Sequence, residues 1–196
     1  MCNLYSMTAT VDEMRRLFGP FEGETGNLPA FPEIYPGQSA PVLRRGEEGG
    51  LRLDMMEWGF PGPPAAGNRP ITNVRNLASP FWRSALARPD RRCIVPVTRF
   101  CEWEGEKGAK RKVWFGLGET SEPLFAFAGL WRPLAEGRRA MAFLTCEPNA
   151  VVGAVHPKAM PVMLALADVP RWLDSEAMSA CALAVPYADA DMRRLP

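Results

Sequence analysis

Apolar positions along this chain recur first with a helical period and later with the period of strands. Val11, Met14, Leu17 and Phe18 share one helical face behind Thr10 and Glu13, a capping-box spacing in which two side chains satisfy each other's backbone N–H groups, and Gly19-Pro20 stops the helix. A Pro- and Gly-rich connector runs to about Ala40. Pro41 to Arg45 and Leu51 to Trp58 then read as a hairpin around the charged turn Gly46-Glu47-Glu48-Gly49-Gly50. Pro61 to Pro70 reads as a loop, and Ser79-Pro80 supplies an N-cap and a first-turn proline for a helix through about Ala87. Cys93 to Val97, Phe100 to Glu104, Val113 to Leu117 and Leu124 to Trp131 follow as strands, with Ala140 to Thr145 a fifth. Pro148 to Val155 predicts a short helix, Pro161 to Leu166 a strand and Val169 to Leu173 a helix. There is no internal repeat and no linker long enough to divide the chain. The fold class predicted is α+β, a largely antiparallel sheet system with short inserted helices, in one domain spanning residues 1–196.

Composition supports a packed core: 47% of residues are apolar and 23% charged, ordinary values for a globular chain of 196 residues. The 20 prolines add turns and shorten elements. A net charge of +1 announces no polyanion partner through the field of the whole molecule. Only four of the 23 basic residues are lysine (Lys107, Lys110, Lys112, Lys158); the rest are arginine, whose planar fork suits phosphate or carboxylate, although a GC-rich genome would produce the same bias.

Other compositional features narrow the chemistry. No apolar stretch precedes Cys2 and no run of 18 apolar residues occurs, so neither a lipid-modified cysteine nor a membrane span is expected. The cysteines (Cys2, Cys93, Cys101, Cys146, Cys181) are odd in number and form no C-x-x-C pair, which argues against a disulfide framework or a zinc site and for a reducing, cytoplasmic location. H-E-x-x-H and G-x-S-x-G are absent, and Gly105 to Lys110 lacks the glycine spacing of a phosphate-binding loop. No metal or organic cofactor is indicated.

Four positions carry candidate chemistry. Cys2 is either a small core hydrophobe or, once Met1 is trimmed, an N-terminal residue; a chain terminus is an uncommon place for burial. Its α-amine would have a pKa of about 7.7–8.0 and a useful neutral fraction, and such an amine can act as base for its own side chain. A 1,2-aminothiol also condenses with an aldehyde to an imine, which the thiol closes to a thiazolidine. His156 is the sole histidine, either a structural residue or the side chain suited to proton transfer near neutrality. Glu102 lies on an apolar, aromatic strand, where alternation sets it with Phe100 and against Cys101 and Trp103; it is an exposed charge or a buried acid with a raised pKa. Asn73 and Arg75 fall on one side of an extended segment, as a turn motif or as an amide and a guanidinium lining a site. The six tryptophans are mostly core, with one or two at a rim available to stack on bases.

Together the motifs M-C at the start, W-G-F (Trp58 to Phe60), T-N-V-R-N (Thr72 to Asn76), F-C-E-W (Phe100 to Trp103) and H-P-K-A-M-P-V (His156 to Val162) resemble, in the same order, the SOS-response-associated peptidase family of abasic-site processing proteins. The resemblance implies sheets closed barrel-like around a groove for single-stranded DNA. It further implies a covalent thiazolidine between Cys2 and the aldehyde of an abasic site, with self-proteolytic and lyase-like activities. Carried over to this chain, Cys2 is the nucleophile, Asn73 holds the amine or the opened sugar, Glu102 positions and deprotonates the amine, and His156 acts as acid and base on the sugar ring oxygen. Arg75 and Lys158 meet phosphates, Trp103 shapes the site, and Trp58 joins them as a DNA contact. A monomer in the cytoplasm, drawn to the nucleoid when DNA is damaged, is the corresponding setting. The chain departs from better-known members at Asn3 and Leu4, where those have Gly-Arg, and before Pro36-Gly37, where Tyr35 replaces Asn.

Two other functions use the same residues. An N-terminal-nucleophile amidohydrolase would turn Cys2 on an amide with its own amine as base and an oxyanion hole, and would not need His156. A non-catalytic nucleic-acid-binding module would leave Cys2 incidental.

Overall fold

The computed structural model describes residues 2–23, 26, 28–62, 69–106, 108–118 and 123–196 of the chain. The first part of the chain forms β1 (Tyr5–Met7), α1 (Val11–Phe18), β2 (Phe21–Gly23), β3 (Phe31–Ile34), β4 (Ser39–Arg45), β5 (Leu51–Trp58), β6 (Asn73–Val74) and α2 (Pro80–Leu86). The central strands are β7 (Arg92–Val97), β8 (Arg99–Glu104), β9 (Arg111–Leu117), β10 (Phe125–Pro133) and β11 (Arg139–Cys146). Then come α3 (Ala150–Gly153), β12 (Met160–Pro161), β13 (Met163–Leu164), α4 (Val169–Asp174), α5 (Ala177–Cys181) and β14 (Met192–Leu195).

Strands β11, β10, β7, β4 and β5 pair in that order, and β5 returns to β11 through a parallel register of Glu57 with Ala140 and Trp58 with Met141. The ring is therefore a closed five-stranded barrel, which leaves no open edge among its members. Every residue of β7 is buried, as are all of β11 after Arg139 and β10 through Trp131. These strands are covered on both faces, which is why they read in sequence as unbroken apolar runs. Inside, Trp58 stacks on Phe143 at 5.1 Å between centroids, and Tyr5 meets Trp58 edge-on at 5.1 Å. Gly59 follows Trp58 at φ +132°, and a Cβ there would stand 2.6 Å from Cβ of Pro70, so the W-G-F turn admits glycine alone.

A second, antiparallel sheet runs β3-β1-β8-β9-β14. Only Thr98 separates β7 from β8, so one bent stretch of chain passes from barrel to sheet. Its N–H donates to Ser6 O at 2.8 Å, which ties the N-terminal strand to the bend. β1 lies between two neighbours, with Tyr5 opposite Ile34 on one side and Phe100 on the other. Arg92 at the start of β7 is fully buried, and its guanidinium donates to Leu86 O, Trp172 O and Ser175 O. One cation thus satisfies the carbonyl ends of both α2 and α4.

The predicted α+β class and the barrel-like closure are those of the structure. The capping box is present, with Thr10 Oγ1 accepting from Glu13 N and Glu13 accepting from Thr10 N. The predicted strand from Pro161 to Leu166 divides instead: β12 pairs with β11, β13 pairs with β10, and Val162 between them bonds Leu144 and Ala128. Leu166 starts a short 3-10 turn, Leu166–Asp168. β1, β2, β3, β6, α5 and β14 lie in stretches with no predicted element. Of the predicted connector and loops, residues 24, 25, 27, 63–68 and 107 lie outside the described residues.

Candidate active site

The short strand β1 carries Cys2 into the interior rather than leaving it on a mobile end. Leu4 O accepts from Cys101 N at 2.9 Å, so the chain is already paired two residues after the cysteine. Cys2 is 1% exposed, against the expectation for a second residue. Its Sγ faces Leu4 O at 3.4 Å and Cys101 O at 3.9 Å. From β6, Asn73 Nδ2 donates to Cys2 O at 3.0 Å and lies 2.7 Å from Thr72 Oγ1. β6 is held beside β11 by the register of Asn73 with Phe143.

Glu102 comes from β8, where it pairs with Val113. It is 2% exposed, which decides between the exposed and buried readings in favour of the buried acid. Cys101 is buried as well, because the sheet is covered on both sides at this point. His156 follows α3, whose N-cap Asn149 accepts from Val152 N at 3.0 Å and donates to Tyr187 O at 2.9 Å. That anchored turn, with His156 N donating to Val152 O at 2.8 Å, brings Nδ1 to 3.8 Å from Glu102 Oε2. The separation is longer than a hydrogen bond and is an ion pair only when the imidazole is protonated.

Burial dominates the electrostatics. It pushes the Glu102 carboxyl up to about 7, with the charges of the terminal ammonium and Lys110 opposing it. Burial pulls His156 down, and the terminal ammonium, Lys158 and Lys110 pull in the same direction. Near neutral pH the carboxyl is therefore poised to exchange a proton while the imidazole is mostly uncharged. The Cys2 thiol is raised well above its ordinary value by burial first and by the Glu102 charge second. A protonated thiol is a poor nucleophile by itself. Two buried side-chain oxygens beside this assembly, Asn73 Oδ1 and Glu102 Oε1, have no hydrogen-bond partner among the described residues, an arrangement that favours an incoming donor.

The structure thus gathers Cys2, Asn73, Glu102 and His156 at one place. Trp103 adjoins them, half-buried, with Nε1 donating to Asn3 Oδ1 at 2.8 Å. Lys158 is exposed and close enough to depress His156. Arg75 is ion-paired with the exposed Glu147. Trp58 requires a correction: it is fully buried, stacked on Phe143, with Nε1 donating to Thr72 O at 3.1 Å, so it has no face to offer a base. Its place in the W-G-F motif reflects packing, and its hydrogen bond steadies the backbone next to Asn73. Sequence reasoning passed over Lys110, whose charge acts on both Glu102 and His156, since its loop was judged only against a phosphate-binding pattern. It also passed over Thr145, buried in β11 with a hydroxyl that has no partner among the described residues; the signal was a polar residue in an apolar strand. Among the described residues no group of three or more His, Cys, Asp or Glu side chains could hold a metal ion, and no helix is long and apolar enough to cross a membrane.

The profile of the SOS response associated peptidase (SRAP) family matches residues 1–196. The abasic site processing protein YoqW of Bacillus subtilis (strain 168) is 27% identical over 188 residues, covering 89% of this chain and 80% of its own. A protein of that name from Bacillus phage SPbeta matches to the same extent. Among solved structures, a protein from Bacteroides thetaiotaomicron superposes with a TM-score of 0.82 at 19% identity, over 98% of this chain and 90% of that one. A protein from Bordetella bronchiseptica gives 0.78 at 20% identity, over 99% of this chain and 98% of that one. The two structural likenesses concern the fold.

Proposed function

The chain belongs to the SOS response associated peptidase family over its whole length, and from that premise we propose that it processes abasic sites in single-stranded DNA by capturing the sugar aldehyde on Cys2 after Met1 is removed. The observation that carries this reading is the convergence on Cys2 of an amide, a carboxyl titrating at about 7 and a mostly uncharged imidazole. The α-amine adds to the C1′ aldehyde, and the carbinolamine loses its hydroxyl as water to leave an imine. The thiol then adds across the C=N bond: an S–C bond forms, the thiol proton passes to nitrogen, and a thiazolidine results. One aldehyde and one aminothiol give one thiazolidine and one water, with nothing oxidised.

The raised thiol pKa supports this order of events over a thiolate-first attack on an amide, because burial and the Glu102 charge both resist ionisation of sulfur. The amine, with an ordinary pKa of about 7.7–8.0, is the group that can act first. Glu102 would take a proton from the ammonium and return it to the leaving hydroxyl. His156 would move a proton at the sugar ring oxygen, opening the ring to the aldehyde. Asn73 would fix the Cys2 backbone through Nδ2 and receive the ammonium on its unpartnered Oδ1. Arg75 and Lys158 would meet phosphates, Arg75 by exchanging Glu147 for them, and Trp103 would wall the site. The imine also permits β-elimination, so strand cleavage competes wherever the thiol fails to close the ring. Removal of the leading residue by the protein itself would draw on the same groups.

The test is denaturing electrophoresis after incubation with single-stranded DNA that bears one abasic site. The expected product is a heat-stable slow band that is lost in Cys2→Ala. Cys2→Ser and Cys2→Ala both keep the α-amine and lack the sulfur, so in either any adduct is a labile imine that is trapped only by a reductant. Absence of any adduct from protein shown to begin at Cys2 would overturn the reading.

A further inference from the structure

Away from Cys2, one end of the barrel interleaves arginines with aromatic rings. Phe60, α2, the turn after it and the end of β10 enclose an open cavity of about 150 Å³, lined by Phe60, Phe81, Arg88, Arg91, Trp131 and Arg132 among others. The guanidinium carbons of Arg44 and Arg91 stand 4.7 and 4.9 Å from the Trp131 ring centroid. That of Arg132 stands 4.7 Å from Phe60 and 5.9 Å from Phe81. Asp90 engages Arg88 through two hydrogen bonds, at 3.0 and 2.6 Å, and lies 3.7 Å from Arg91. Arg132 differs from these: it donates to Pro61 O at 3.1 Å and has no carboxylate within ion-pair distance among the described residues. Phe81 beside it is 38% exposed, one of few large apolar side chains left open.

We propose that this shelf binds single-stranded nucleic acid on the stretch flanking the reacting nucleotide, with a base stacked on Phe81 and a phosphate on Arg132. A partly desolvated guanidinium backed by rings and lacking a counter-charge is completed by an anion. Alternating aromatic faces and cations match the alternation of bases and phosphates along a strand. The volume is below the ~300–1,000 Å³ of sites that enclose a separate small molecule, and suits one base of a longer chain. An acidic peptide would answer Arg132 and leave Phe81 uncovered.

The location agrees. Arg132 pairs with Ala140 from β10 and Asn73 with Phe143 from β6, on opposite sides of β11, and the two registers are three residues or about 10 Å apart along that strand at ~3.3 Å per residue. Phe60 also bridges Ile71, two residues before Asn73. The shelf thus stands across β11 from the Cys2 site, three residues along it, a span that a strand of several nucleotides covers. The proposal rests on the reading above in taking DNA as the partner, but its test uses undamaged DNA and needs no adduct.

Binding of a fluorescent 20-nucleotide oligo(dT) is measured by anisotropy across a salt series, for the full chain and for Phe81→Ala and Arg132→Gln. Phe81→Ala should weaken binding roughly five- to hundredfold, the value of one lost stack. Arg132→Gln should lower the slope of log K against log salt by about 0.7, one phosphate contact fewer on a single strand. The rate of adduct formation at saturating abasic DNA should be unchanged in both. Unchanged affinity and slope in both variants would overturn the proposal, as would displacement of oligo(dT) by polyglutamate at equal concentration. Weakened binding in a protein that forms no adduct would sustain the shelf while refuting the proposed function.

Discussion

Replacing Glu102 with Gln tests the central electrostatic feature of the site twice, through stability and through reaction. The unfolded chain releases the Glu102 proton near the ordinary value of 4.5, whereas the folded protein holds it to about 7. Below the first value both states carry the proton and there is no penalty. As pH rises between the two, the unfolded chain ionises while the folded one does not, so stability falls; above the second, the full loss remains. The interval from 4.5 to about 7, at roughly 1.4 kcal/mol per pKa unit, corresponds to about 3 kcal/mol. Gln never ionises and should escape this loss. His156 titrates in both proteins, so its contribution largely cancels in the difference. Urea denaturation should therefore show similar stabilities at pH 4.5 and a variant more stable by up to about 3 kcal/mol at pH 8. That gain equals roughly 6–12 °C in Tm for a chain of this size. The same variant should form adduct at least roughly a hundredfold more slowly, the usual cost of removing a general acid–base group. Parallel stability curves from pH 4.5 to 8 would refute the raised pKa, and an undiminished adduct rate would refute the assigned role.

Other substitutions probe the supports of the site. Arg92→Met should lower stability by about 3 kcal/mol or more, because the carbonyls of Leu86, Trp172 and Ser175 lose a buried donor; a Tm within 2–3 °C of the parent would contradict that account. Trp58→Phe should cost roughly 1–3 kcal/mol in denaturant titrations, through the lost bond to Thr72 O and the smaller ring, while affinity for undamaged single-stranded DNA stays the same. A loss of affinity with intact stability would restore Trp58 as a DNA contact.

The barrel was legible where burial on both faces writes continuous apolar runs, as in β7, β10 and β11. β1 and β6, of three and two residues, carry no such pattern, since they are defined by tertiary pairing with β3, β8 and β11. Those two hidden strands present Cys2 and Asn73. The residue types of the site could thus be named from their motifs, while the burial of Cys2 could not be foreseen. Period-2 alternation set Glu102 and Cys101 on opposite faces and left open which was buried; both are, because alternation presumes one solvated face. Arg92 drew no reading from the sequence, because only the fold brings the ends of α2 and α4 onto it. For Trp58, aromatic character alone could not distinguish a stacking platform from a packed core.

The decisive question is which atom of Cys2 acts first, the α-amine or the sulfur. Intact mass spectrometry of the adduct with an abasic oligonucleotide decides it, comparing protein that begins at Cys2 with protein in which a blocked N-terminal extension prevents trimming. The trimmed protein should gain the mass of the oligonucleotide less one water and resist borohydride, as a closed thiazolidine does. The extended protein, with the same thiol and no α-amine on Cys2, should gain nothing. An adduct of equal yield on the extended protein would contradict the account and assign the chemistry to sulfur alone.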